Sequence, residues 1–186
     1  MPMRDSNPDI QKAALLWSRT LARVKDELRR LPQTERTWIE ERLLSVGRLQ
    51  EALHALFLRA QGPLRCAECL GACCDRGKNH LTLVTLLAYL LAGEEPPELR
   101  FDRPCPPLGE TGCLLPPSRR PFNCVTFICE IVEKGLSQDE RTQFYALERQ
   151  LRTIYEEFDG HFSGSSLRGL LIRAERLGER PYLERI

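Results

Sequence analysis

Hydrophobic positions in the N-terminal third recur at close to the helical period. Ile10, Ala13, Ala14, Trp17, Leu21, Val24 and Leu28 fall on one face of a predicted helix. Asn7-Pro8 offers a cap followed by proline at the first helical position, and Pro32 breaks the run. A second stripe (Trp38, Ile39, Leu43, Val46, Leu49, Leu53, Leu56, Phe57) predicts another helix from Gln33 or Thr34 to a stop at Gly62-Pro63. Two amphipathic helices joined by a short break suggest an antiparallel hairpin over residues 1–62. Each stripe needs a partner to be stable. Packing against helices near the C-terminus is the preferred expectation, ahead of a protein partner or a homodimer formed through the N-terminal helices.

Beyond residue 62 the periodicity lapses. Residues 63–80 read as a cysteine-rich loop. Leu81 to Ala92 is an apolar run of 12 residues. It falls short of the roughly 20 residues that a membrane-spanning helix needs. Thr82 is the expected cap of a buried helix there, with Gly93 ending it. Residues 94–123 hold eight of the 13 prolines, a density that forbids a long helix or a central strand. Helical patterning returns at Ser137-Gln138-Asp139-Glu140, a capping box. It opens a helix to about Phe158 with Phe144, Leu147, Leu151, Ile154, Tyr155 and Phe158 on one face. Ser166 is expected to cap a last helix to about Leu177, ended by Gly178. The expected fold is mostly α, in one compact domain overall: an N-terminal hairpin (1–62), an irregular cysteine-rich metal-binding segment (63–135) and C-terminal helices (136–186).

Charge narrows the functional classes. The 27 basic and 26 acidic side chains leave a formal +1, so no electrostatic case exists for nucleic acid or a membrane as partner. Arg23, Lys25, Arg29 and Arg30 are interleaved with Asp26 and Glu27, which predicts a solvated helix face. The polar start from Met1 to Pro8 lacks the apolar stretch of a signal peptide. The expected location is cytoplasmic, where thiols stay reduced.

Eight cysteines then need an explanation other than disulfides, and none lies in the first 65 or the last 57 residues. Cys66-Ala67-Glu68-Cys69 is a CxxC pair, whose spacing lets two sulfurs meet one ion. Cys73-Cys74 follows. Adjacent thiolates do not easily face the same ion, so one faces each of two sites, or one ligates while the other packs. Cys105 and Cys113 flank Gly109 and Gly112, and Cys124 and Cys129 flank Phe127. Eight thiols match two four-thiolate sites, one multinuclear cluster, or one site with spare thiols. All eight are candidate metal ligands. The competing readings are disulfides and inert buried cysteines. A four-thiolate site suits zinc or an iron–sulfur cluster equally, so the metal stays open. Of the histidines, His80 lies nearest a cysteine group, although a helix-start or surface role is its preferred reading. His54 is expected at the edge of the core, and His161 in an exposed loop.

These motifs resemble the zinc- or iron-chelating cysteine-cluster domain family, also described as YkgJ-like or flagellin N-methylase-like. The first element is Cys66-x-x-Cys69-x-x-x-Cys73-Cys74. The second is Cys105-Pro106-Pro107-Leu108 with Gly112-Cys113. The third is Arg120-Pro121-Phe122-Asn123-Cys124-Val125-Thr126-Phe127-Ile128-Cys129. The likeness covers about residues 66–129. It departs in one extra residue before Cys73, in Val125 where the family has arginine, and in Ile128 where it has proline.

The resemblance implies a metal, and the family label adds protein-lysine N-methylation. The expected function is therefore a metal-binding protein in a structural, redox or carrier role, with a metal-dependent, N-methylase-like enzyme as the alternative. Catalytic residues are not assigned. No glycine-rich strand-to-helix turn offers a seat for a nucleotide-derived methyl donor. A radical-type CxxxCxxC triad starting at Cys69 would need cysteine at position 76, where Arg76 stands.

Overall fold

The computed structural model describes residues 7–68, 72–110 and 112–186. Cys69, a candidate ligand, lies outside the described residues. Helix α1 spans Pro8–Arg30, with the Asn7 side chain accepting from the Asp9 amide and proline at the first position. Leu31, extended ahead of Pro32, ends it. Helix α2 spans Gln33–Arg59. Gln61 then adopts a positive φ of 56° and turns the chain into a short helix, α3, Gly62–Glu68. A Cβ on Gly62 would lie 2.2 Å from the Phe57 ring, so only glycine lets the backbone fold back so closely.

The expected loop over 63–80 is therefore corrected to α3 followed by a 3-10 helix, Ala72–Asn79. Pro63, read as a stop, sits in the first turn of α3, where its missing N–H costs nothing. Helix α4, Leu83–Leu90, begins at the Thr82 cap as expected and is buried on nearly every side. Among the described residues of 94–121, no regular element forms beyond a 3-10 turn at Pro117–Arg119. Two short helices follow, α5 (Phe122–Thr126) and α6 (Glu130–Glu133).

Helix α7, Gln138–His161, opens with both halves of the capping box formed. The Ser137 backbone N–H, then its side chain, hold the Glu140 carboxyl below its ordinary value. That preference for the charged form contributes above the unfolded carboxylate pKa and is lost as pH falls through the lowered folded value. Ser137→Ala should cost about 1 kcal/mol, as N-cap removals do, read by urea denaturation. The last helix, α8, spans Leu170–Leu177 and is ended by Gly178. Its N-cap is Gly169 rather than Ser166. Ser166 is committed elsewhere: its hydroxyl donates to the Tyr155 carbonyl and to Asp159, whose carboxylate also takes the Ser166 amide.

The mostly-α expectation holds, and no strand forms among the described residues. No described helix is long and apolar enough to cross a membrane. The hairpin is corrected in its packing. Helices α1 and α2 follow one another across residues 31–32, but each finds its main partner elsewhere: α2 lies along α7 and α1 against α8. The α2–α7 pair is antiparallel, as its cross-links show. His161 meets Glu35 at 2.5 Å, Arg42 pairs with Glu157, Gln50 meets Tyr155, and Arg59 pairs with Glu140.

Helix α1 is pinned instead by the C-terminal segment. Arg23 donates to the carbonyls of Gly178 and Arg180, and Glu27 accepts from the amides of Tyr182 and Leu183. Lys25 pairs with Glu95, and Arg29 and Arg30 with Asp26, so this basic group is consumed in ordinary surface pairing. The two helices diverge because these partners, and the apolar stripes facing them, outweigh the two-residue link. One main core joins Val24 and Leu28 of α1, Ile39 to Leu56 of α2, α4, Phe122, and Phe144 to Phe158 of α7.

Candidate metal centre

The described cysteines sit on several elements. Cys66 rides on α3, and Cys73 and Cys74 on the 3-10 helix that follows. Cys105 and Cys113 bracket a tight loop closed by an isolated antiparallel bridge between Leu108 and Cys113. Within that loop the Gly109 amide donates to the Gly112 carbonyl at 2.7 Å, and the Leu114 amide to Pro107 at 2.9 Å. Proline thus shapes the segment by turns, with its few amides spent on closing it. Cys124 lies in α5, and Cys129 is the extended residue that caps α6. The 3-10 helix rests directly on Cys105: a Cβ at Gly77 would sit 2.4 Å from the Cys105 sulfur.

Among the described residues, Cys74, Cys105 and Cys124 each feel the charge of other thiols. Burial pushes the Cys74 thiol up to about 12, and the charges of Cys73, Cys105 and Cys113 add to it. Cys105 is pushed up to about 11, by burial and then by Cys113 and Cys73. Cys124 rises to about 12, by burial and then by Cys113, Cys105 and Cys74, with Arg120 pulling the other way. Cys73, Cys74, Cys105, Cys113 and Cys124, from three separated stretches of chain, therefore lie within electrostatic reach of each other. Cys124 has accessible surface, yet burial is the largest cause raising its pKa. Accessible area governs whether a reagent can arrive, and the density of surrounding protein governs the cost of charge. Both hold for a sulfur in a depression.

Cys129 is half-buried and packs against the edge of the main core. Cys66 is half-buried on α3, which packs against α6. Among the described residues, no group of three or more His, Cys, Asp or Glu side chains is arranged to hold a metal ion.

His80 is the residue that sequence reasoning set aside. Its Nδ1 lies 3.4 Å from the Cys124 sulfur, and burial lowers its pKa, favouring the neutral ring. Its position six residues after Cys74 was the available signal. Arg120 stands in the third motif element, where the sequence assigns it no role. Its positive charge acts on Cys124, although Val125 occupies the place where the resembling family carries arginine. His54 stacks near Phe57 as a core-edge histidine should. His161 departs from the expected exposed loop: it ends α7, stacks 3.9 Å from Trp38, and its side chain is 12% exposed.

The donor set suits a thiophilic cation. The raised thiols of Cys74, Cys105 and Cys124 resist ionisation, and a bound metal ion would reverse that balance by taking thiolates directly. The same environment argues against Cys124 and His80 as an activated nucleophile pair, because reactive cysteines need a lowered thiol pKa. No protein-family model matches the chain, and neither a curated protein nor a solved structure matches it.

Proposed function

We propose that this chain is a metal-binding protein that holds zinc or an iron–sulfur cluster through its cysteine cluster, in a structural, redox or carrier role, and that it belongs to the cysteine-cluster family its motifs resemble. The observation that carries the reading is that Cys74, Cys105 and Cys124 each feel the charge of further thiols from residues 73–74, 105–113 and 124, with the 3-10 helix resting directly on the Cys105 sulfur. Chains rarely gather free thiols in a proline-rich region without a use for them. The ligands come first from Cys73, Cys74, Cys105, Cys113 and Cys124, with Cys66, Cys69 and Cys129 as the further thiols of the set. When bound, the metal supplies a cross-link among segments that have little apolar surface of their own.

The chain's residues do the positioning. The 3-10 helix is seated on Cys105 through Gly77, the turn at Gly109–Gly112 sets the separation of Cys105 and Cys113, and Arg120 offsets thiolate charge at Cys124. Replacing the buried Cys105 tests the assignment. Cys105→Ser should lower the bound metal per folded chain by at least about half, measured by elemental analysis after anaerobic purification, since it removes a central thiolate. Full metal retention in that variant would remove Cys105 from the site and with it the shared centre.

A further inference from the structure

His80 brings a nitrogen donor to the thiols. It follows the 3-10 helix Ala72–Asn79 and stands two residues before the Thr82 cap of α4. Its backbone is braced from several directions. Its own amide donates to the Gly77 carbonyl at 3.0 Å, and Gly77 is the residue packed on the Cys105 sulfur. On one side, the Asn79 carbonyl lies where a Cβ on Gly169 would meet it at 2.3 Å. On the other, the Leu81 carbonyl accepts from the Leu170 amide at 2.6 Å. The start of α8 therefore grips the residue before His80 and the residue after it. A side chain carried on backbone held in this way has few positions open to it, as a ligating group requires.

The His80 Nδ1 lies 3.4 Å from the Cys124 sulfur. That sulfur has accessible surface, so an ion can arrive. A tetrahedral ion with bonds of about 2.1 Å to nitrogen and about 2.3 Å to sulfur holds those two ligand atoms about 3.6 Å apart. The pair needs almost no movement to share one ion. A hydrogen bond to sulfur would span a similar distance, but it would not call for bracing on both sides of the histidine.

We propose that His80 Nδ1 and Cys124 Sγ are two of the four ligands of one tetrahedral ion of the zinc type. The inference rests on the metal-binding reading and narrows it to a mixed sulfur and nitrogen set, of the kind structural zinc sites use. Among the described residues no group of three is arranged to hold an ion, so the remaining positions are filled by thiols that close on the pair. The thiols whose charge reaches Cys124, those of Cys74, Cys105 and Cys113, are their source. A neutral imidazole in place of a fourth thiolate leaves the site one charge less negative. That lowers the cost of holding it beside the buried Cys105.

The test reads ligation directly. Reduced full-length protein, prepared without oxygen, is loaded with a spin-half cadmium isotope as a thiophilic stand-in for zinc. Through-bond cadmium–proton correlation should link the metal both to the Cys124 methylene and to the His80 ring. A hydrogen bond between the two residues would give no coupling from the metal to the ring. Cadmium coupled to cysteine methylenes but not to the His80 ring overturns the inference and leaves the metal-binding reading standing. His80→Gln supplies a second measurement, because glutamine keeps a polar group near the sulfur but is a poor zinc ligand. Its zinc affinity, by competition against a chromophoric chelator, should fall at least about tenfold, since losing even an outer partner of a metal-bound group costs that much. A smaller fall overturns the inference. Uptake of neither cadmium nor zinc also overturns it, and iron found by elemental analysis in the same protein would then keep the wider reading.

Discussion

Stripping the metal under anaerobic conditions should make residues 63–129 at least about tenfold more sensitive to protease while most of the far-ultraviolet helical signal remains. The contrast follows from what each region has to hold it. Helices α2 and α7 share a continuous core from Ile39 to Leu56 and from Phe144 to Phe158, and α1 is tied to the C-terminal segment through Thr20, Arg23 and Glu27. Residues 94–121 rely on a small cluster at Leu115, Leu81 and Tyr89, a handful of turn hydrogen bonds, and exposed ion pairs such as Arg100–Asp102 and Arg119–Glu94. Solvent-facing pairs of that kind contribute little. Thiolates that have lost their cation also repel, which loosens the 3-10 helix seated on Cys105. Cleavage would be mapped by mass spectrometry beside circular dichroism. Equal protection of 63–129 before and after complete metal removal would show that the segment stands without a cross-link.

The second large effect lies in the scaffold. Phe158→Ala should destabilise the protein by about 3–5 kcal/mol, the usual cost of emptying a large aromatic site in a core. Phe158 is fully buried and meets Trp38 edge-on at 5.2 Å, where α7 closes on the start of α2. Trp38 is clamped on its other contacts by His161, stacked at 3.9 Å, and by the Arg42 guanidinium at 4.0 Å. That framework resists collapse into the cavity, which places the cost toward the upper part of the range. Phe127, 61% exposed beside the candidate centre, is the matched control, and Phe127→Ala should change stability by no more than about 0.5 kcal/mol. Chemical denaturation of both variants checks the pair. Comparable losses for the two would mean that the core has been assigned to the wrong face.

Elements with complete local signals were legible before the structure. The α1 start at Asn7-Pro8, the α4 cap at Thr82 and the α7 capping box need only neighbouring residues, and all three formed as read. Tertiary pairing was less legible. A stripe of apolar residues states that a helix must be covered, not by what: α1 and α2 did not pack as the suggested hairpin, while the preferred covering by the C-terminal helices formed. Ser166 misled for a related reason: a serine before an apolar run is a plausible cap, but Asp159 and the Tyr155 carbonyl claim it from a distance. The short α3 escaped notice because glycine and proline read as breakers, whereas Gly62 serves a close approach to Phe57 and Pro63 a first turn.

For the site, cysteine spacing pointed to the region, and the structure brings five of the candidates within mutual electrostatic reach. His80 meets Cys124 across 44 positions, and Arg120, whose charge acts on Cys124, is held by Gln50 across 70. No local motif encodes such separations.

Metal content measured together with the visible spectrum tests the central claim most directly. Protein purified without oxygen and without added metal should carry at least one zinc or iron per chain by elemental analysis. Zinc would leave it colourless, and an iron–sulfur cluster would give broad absorption into the visible that chelation or oxidation bleaches. A folded protein with eight free thiols by titration under denaturing conditions, with neither metal present and no uptake of zinc or iron on reconstitution, would contradict the account.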